Sequence, residues 1–315
     1  MHFNKQLKIF KRALARGSLF FFAWLFERLP YPIVYFLGKI FMAVGYCFII
    51  KQKRIARESL QIALGREKTL PEIKEIERSC FLNIGEGMLE MLYYMAHPKK
   101  IKEKIILEGE EHLHKALKEG SGVIAITAHF GNFPLMMLYF ATGGYPTNTI
   151  MRPARDQGLE EYLLRRRTEV GLKTVYTIPR RECVQNSLKV LRNNEILFIP
   201  LDQNFGGEGG VFVDFFGQKA ATATGPVVFS LRTKAPILLM FIVRQKDNRH
   251  KIIIEPPVLL EDKGDEQETI LINTARITQM IERYIRQYPD HWGWMHRRWK
   301  SRPQGETPEL ISPEE

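Results

Sequence analysis

Three groups of residues in this chain have the types and spacing to do chemistry, and each follows a short apolar run. His129 comes directly after the run 123–128 in "GVIAITAHFGNFP", with Gly131 and Asn132 just behind it. Arg152 and Arg155 follow a second run in "IMRPARD". Asp202, Gln203 and Glu208 follow a third in "FIPLDQNFGGEGG". A neutral imidazole can take the proton of a nucleophile as it attacks. Paired guanidinium groups recognise phosphate or carboxylate. A carboxylate beside the imidazole would fix its tautomer and stabilise the imidazolium that forms. Each residue also has a structural alternative. Asn132 could hydrogen-bond at the site or cap a turn or helix. Arg152 could pair with Asp156 or Glu160, and Asp202 and Gln203 could either line a site or tie down the glycine-rich loop.

Several other chemistries lack their residues. "GGEGG" has no Lys-Ser/Thr ending, so it is not a Walker A loop, and no HExxH, GxSxG or dinucleotide-binding fingerprint is present. Cys47, Cys80 and Cys183 are few, odd in number and far apart, which gives neither a disulfide framework nor a CxxC metal site. No metal is expected. His291 and His296 are expected to be structural, because no third ligand has a suitable spacing.

The elements that must position these residues follow from periodicity. Strands are expected at 123–128, 147–151, 173–178, 195–201, 236–243 and 250–255. Helices are expected at 110–119, 134–141, 157–171, 182–193, 224–233 and 267–287, with a helical stretch over 52–97 before them. This alternation predicts an α/β fold, a mixed and largely parallel sheet flanked by helices. Pro134 suits the first turn of a helix, where its missing N–H costs nothing. His129 then lies at the carboxyl end of a strand and near a helix N-terminus, where α/β sheets gather ligands.

The N-terminal part differs in character. Residues 1–16 are basic, and apolar runs follow at 19–26 and 33–50, the second interrupted by Lys39 and at the lower limit for a bilayer span. "ERLPYP" breaks the two runs and "KQKR" follows them. A helical hairpin or monotopic anchor is expected rather than a clean crossing or a cleaved signal peptide. The competing reading is a buried helical pair. Three segments result: a membrane-anchoring segment 1–50, a main domain 51–303 and a tail 304–315. The net charge, 46 − 35 = +11, calls for an acidic partner: nucleic acid, anionic lipid head groups or an acidic carrier protein. "HWGWMHRRWK" (291–300) interleaves aromatic and basic residues. Beside an apolar anchor, it is expected at the head-group level of a membrane rather than on nucleic acid.

The blocks "AHFGNF", "MRP", "PLDQN", "VDFFGQKAATATGP" and "YPDHWGWMHRRWKSRP" occur in that order from roughly residue 20 to 303. Together they resemble the bacterial lipid A late acyltransferases of lauroyl/myristoyl type, in the lysophospholipid acyltransferase superfamily. The resemblance implies an enzyme anchored at the cytoplasmic face of the inner membrane. It would move a fatty acyl chain from acyl carrier protein or acyl-CoA, a co-substrate rather than a cofactor, to a lipid A precursor or related lysolipid. The implied partners are acyl carrier protein, membrane phospholipid or lipid A precursor and the membrane surface, with no nucleic acid. His129 matches the family's base, and Arg152 its acceptor-binding Arg-Pro element. Asp202 and Gln203 match its Asp-Gln pair. Arg155, Asn132, Gln203 and Glu208 are further candidate substrate contacts.

One position departs from the pattern. The family places an Asp or Glu after the His with four residues between, and Pro134 stands there. Three accounts are open. Another carboxylate reaches His129, Asp202 first and Glu208 second. Alternatively the acceptor is a better nucleophile, such as an aminolipid amine. In the third, the chain binds lipid without turnover.

Overall fold

The computed structural model describes Ala13 and residues 16–305. The basic residues 1–12 and most of the tail lie outside the described residues. Seven strands form the main sheet: β1 (Ile105–Glu108), β2 (Val123–Thr127), β3 (Thr147–Met151), β4 (Lys173–Tyr176), β5 (Ile196–Pro200), β8 (Ile237–Arg244) and β9 (His250–Ile254). Their order is β1-β9-β8-β2-β5-β3-β4, and every neighbouring pair is parallel except β8 with β9. A mixed, largely parallel sheet was the expectation from the alternating pattern, and the six expected strands all form. A separate hairpin, β6 (Gly210–Phe215) with β7 (Gln218–Ala223), stands beside the sheet.

The central strand β2 is buried on both faces, as a parallel strand covered by helices must be, and this is why it reads as an unbroken apolar run. Its side chains alternate between two cores. Ile124 and Ile126 face one core, with Leu60 of α3 (Ile50–Leu64), Leu191 of α8 (Arg180–Arg192), Phe229 of α9 (Gly225–Thr233) and Ile281 of α10 (Glu266–Gln287). Val123 and Ala125 face the other, with Leu113 of α5 (Glu110–Lys118), Phe140 of α6 (Phe133–Thr142) and Tyr93 of α4 (Leu70–Ala96). Helix α7 (Gln157–Glu169) links β3 to β4.

The N-terminal elements are α1 (Arg16–Phe26) and α2 (Tyr31–Phe48). Among the described residues, α2 is the one helix long and apolar enough to cross a membrane by length and composition, and only 11% of it is buried. It packs along α4 on one side. Phe36, Ile40, Val44 and Phe48 point outward and exposed.

Two local expectations need correction. The hairpin was not among the expected strands: after the glycine-rich loop, β6 and β7 pair across a two-residue turn whose residues, Phe216 and Gly217, both have positive φ. A turn with both central residues at positive φ matches the twist of a hairpin. The aromatic residues of the block 291–300 do not face a surface, although Arg297 and Lys300 do. Trp292, Trp294 and Arg298 are fully buried and Trp299 nearly so. Their rings pack with Phe215 and Phe216 of the hairpin. The two terminal nitrogens of Arg298 donate to the Gln203 and Ala221 carbonyls and the Thr222 hydroxyl, while its buried Nε has no partner.

Candidate active site

The site begins with strand register. Thr127 of β2 stands opposite Pro200 of β5, and the ladder continues through the Leu201 N–H donating to the Thr127 carbonyl at 3.0 Å. Carried two residues on, the same register brings His129 abreast of Asp202. Their side chains meet there, His129 Nδ1 to Asp202 Oδ1 at 2.9 Å. The turn after His129 needs a glycine: Gly131 has φ +54, and a Cβ on it would collide with the Ile242 carbonyl. Asn132 then caps α6 by accepting from the Leu135 N–H, and Pro134 occupies the first turn.

Asp202 is buried, and its second oxygen accepts from the Trp292 indole N–H at 2.7 Å. Burial pushes the carboxyl up, but the imidazole's charge and hydrogen bond, with the indole N–H, outweigh it and hold Asp202 well below the usual carboxylate range. A carboxylate only accepts, so Nδ1 of His129 carries a proton and Nε2 offers a lone pair. The Gln203 amide nitrogen lies over the ring, 2.9 Å from Nε2 and 3.3 Å from Nδ1. The Gln203 nitrogen also lies 3.3 Å from Nε2 of His296, whose ring centre is 5.0 Å from that of His129. Burial, and then the nearby His129 charge, lower the pKa of His296, so it stays neutral.

His129 opens onto a cavity of 1220 Å³. Met91, Met95, Met137, Leu163, Ile199 and Val228 give it long apolar walls, and Pro134 lies on the same wall as His129. Arg152, Arg180 and Arg232 line it as well, exposed and without an ion pair among the described residues. Arg152 therefore does not use the acids weighed against it. Asp156 pairs with Arg16, and Glu160 with Arg167 and Tyr176.

Three expected contacts do not reach this space. Arg155 is exposed but does not line the cavity, because it lies beyond the end of β3 on the approach to α7. Glu208 projects from the exposed glycine-rich loop and bonds to nothing among the described residues; it is not the acid that reaches His129. Asn132 is buried with both ends of its amide engaged, its oxygen by the helix cap and its nitrogen by Glu90 at 2.9 Å.

Two further groups support the site from behind. The backbone of 129–131 pairs with 291–293: the Gly293 N–H donates to the His129 carbonyl and the Gly131 N–H to that of His291. Glu90 of α4 is buried and accepts from Arg244 through both oxygens at 2.8 Å, from His250 at 2.9 Å and from Tyr31 at 2.9 Å, besides Asn132. Burial raises its pKa, but the His250 and Arg244 bonds and charges overcome this and set it at about 2. Sequence reasoning missed Glu90, though a charge in the apolar helical stretch "GMLEMLYYM" was a usable signal. It dismissed His296, whose nearness to His129 depends on folding across the whole chain.

Comparison with known proteins decides the family. The family model described as bacterial lipid A biosynthesis acyltransferase matches residues 1–301. The chain belongs to that family. It is similar to the lipid A biosynthesis palmitoleoyltransferase of Escherichia coli K12, 26% identical over 293 residues that cover 90% of each chain. It is also similar to the lauroyltransferase of the same strain, 26% identical over 291 residues and again 90% of each. A phosphatidylinositol mannoside acyltransferase of Mycobacterium tuberculosis is 23% identical over 134 residues, 42% of each chain. As a lipid A acyltransferase family member the chain is an acyltransferase, and acyl transfer is the reaction its site must serve.

Proposed function

We propose that this enzyme transfers a fatty acyl chain from a thioester, carried by acyl carrier protein or coenzyme A, to a hydroxyl of a lipid A precursor or related lysolipid. His129 is the general base and Asp202 its orienting acid. One observation carries this reading: an imidazole held in one tautomer by a buried carboxylate turns its free nitrogen toward a long apolar cavity.

The acyl chain lies along the apolar walls with its thioester carbonyl near His129. As the acceptor oxygen forms its bond to the carbonyl carbon, its proton passes to Nε2. The C–S bond then breaks, and the departing thiolate recovers the proton from the imidazolium. Asp202 keeps the imidazole oriented and balances its charge during this interval, the role the acid missing at Pro134 would otherwise fill. Arg152 holds an anionic part of the acceptor.

The place of action is the cytoplasmic face of the inner membrane. Supporting it are the outward apolar residues of α2, with Phe21 and Trp24 of α1 beside them. The positive net charge suits both an anionic membrane surface and an acidic carrier protein. A protein that only retained lipid would gain nothing from a fixed imidazole tautomer.

The test is transfer from lauroyl-acyl carrier protein to lipid A precursor in vesicles. His129→Ala should lower the rate by about 10²–10⁴-fold. Undiminished transfer in that variant would refute the assigned base, and lipid retention without turnover in the unaltered enzyme would favour the binding-only reading.

A further inference from the structure

The cavity beside His129 touches both faces of the sheet. Thr149, Ile150 and Met151 of β3 all line it, and neighbouring residues of a strand point to opposite faces. One arm reaches the core under α6, where Met95, Met137, Leu138 and Leu172 pack. The other reaches the core under α8 and α9, where Val184, Ile199 and Phe229 pack. The cavity therefore bends over the carboxyl edge of the sheet, the edge that carries His129.

The two arms differ in kind. The first is walled by flexible apolar side chains, and its arginine, Arg167, is paired with Glu160. The second runs between two helices. Cys183 and Val184 of α8 line it, and Gly225, Val228 and Arg232 of α9 do so at the spacing of one helix face. Arg232 stands two turns beyond Gly225, about 10 Å along the helix axis. It is exposed and makes no ion pair among the described residues, none of whose Asp or Glu side chains lines the cavity. A cation in a last helical turn also offsets the helix dipole, but that role needs no place on a cavity wall.

We propose that the arm between α8 and α9 holds the phosphopantetheine chain of the thioester donor, with Arg232 on its phosphate, and that the arm under α6 holds the fatty acyl chain. This rests on the acyl-transfer reading above and deepens it. A thioester joins two unlike chains at one carbonyl carbon, a hydrocarbon on one side and a linear polar chain ending in phosphate on the other. With that carbonyl at His129, the two arms leading away over the sheet edge match the two chains. Helices α8 and α9 pack on one another, so the gap between them admits a linear chain and excludes a sugar ring of the acceptor. The Thr224 hydroxyl donates to the Gly209 carbonyl and keeps its oxygen lone pairs for an amide N–H of the chain. Arg152, directly after β3, is left to the acceptor.

Cys183 lies in the donor arm and supplies a readout that needs no turnover. In full-length enzyme carrying Cys47→Ser, Cys183 is the cysteine a maleimide can reach, because Cys80 is fully buried. Desulfo-coenzyme A keeps the phosphopantetheine chain but has no thiol. At about ten times its Kd it should slow labelling of Cys183 about tenfold, and lauric acid should not. Arg232→Ala should lose this protection at the same concentration. In vesicles with lipid A precursor, Arg232→Ala should raise the KM for lauroyl-acyl carrier protein and for lauroyl-coenzyme A about tenfold, the effect of one lost charge-assisted hydrogen bond. The acceptor KM should not move, and Arg232→Lys should recover part of the loss. Protection of Cys183 by lauric acid would exchange the arms and overturn the proposal. So would a rise in the acceptor KM alone, or an effect confined to the carrier protein, which would put Arg232 on the carrier's surface and not on the phosphate. If Cys183 labels too slowly to follow, the KM comparison decides alone. Should His129→Ala retain full transfer, the assigned base fails, whereas loss of transfer in that variant with Cys183 unprotected by desulfo-coenzyme A sinks only this inference.

Discussion

Among the described residues, two buried carboxylates each hold a histidine at 2.9 Å, Asp202 with His129 and Glu90 with His250. Both carboxyls are held below their ordinary range. What surrounds them differs. The His129 side chain is 27% exposed, against 1% for His250. Nε2 of His129 faces the cavity side, while the second nitrogen of His250 is buried without a partner. Glu90 is also neutralised by a bidentate arginine, whereas Asp202 receives only the imidazole and an uncharged indole N–H. A carboxylate already matched by Arg244 has little charge to lend an imidazolium. The spacing of such a pair therefore identifies nothing; access to the far nitrogen and the absence of a competing cation do.

Substitutions at the two acids should pull the pairs apart. Asp202→Asn should lower transfer by about 10²–10⁴-fold, since an amide cannot enforce the tautomer or balance the imidazolium. Its melting temperature should move less than that of Glu90→Gln, because His129 can stay neutral beside the cavity. Glu90→Gln leaves the buried Arg244 with only its longer pairing to Glu86 at 3.7 Å, and calorimetry should register a loss of about 3–5 kcal/mol. If the two variants lose stability equally and Asp202→Asn keeps its turnover, the distinction between the pairs is gone.

The acid limb of stability sharpens the same contrast. Glu90 has a folded pKa of about 2 against an ordinary 4.5, so its contribution is complete above pH 4.5 and drains as pH falls toward 2. Melting curves of Glu90→Gln should be flatter across that window. The smallest effect is expected for Trp292→Phe, which keeps the ring but removes the N–H to Asp202. Stability should fall by about 1.5–3 kcal/mol. The carboxyl should titrate at higher pH, so transfer should fail earlier on acidification in a pH–rate profile.

Much of the scaffold was legible in the sequence because its strands are buried on both faces and read as continuous apolar runs. His129 and Asp202 could be picked out for the same reason: each is a polar residue immediately after such a run. Their pairing was less visible, since it depends on which strands are neighbours and in what register. The hairpin was missed because its turn uses Phe216, a residue with no turn preference, and because Gln218–Ala223 is built of small side chains. The block 291–300 was misplaced for a compositional reason. Trp and Arg suit a lipid head-group zone, but they suit an interior when their donors find acceptors, as the indole N–H groups of Trp292 and Trp294 and the terminal nitrogens of Arg298 do. Glu90 shows the reverse. Nothing in the sequence singled it out beyond one charge in an apolar stretch, and the converging donors from four other segments make it an interior hub.

The pairing of 129–131 with 291–293 has a consequence for synthesis. A ribosome delivers the apolar helices α1 and α2 well before the segment carrying Trp292, Gly293 and His296. The loop that carries His129 gains its backbone partner only once residue 293 has emerged, so under the proposed mechanism a partly made copy cannot squander activated fatty acids.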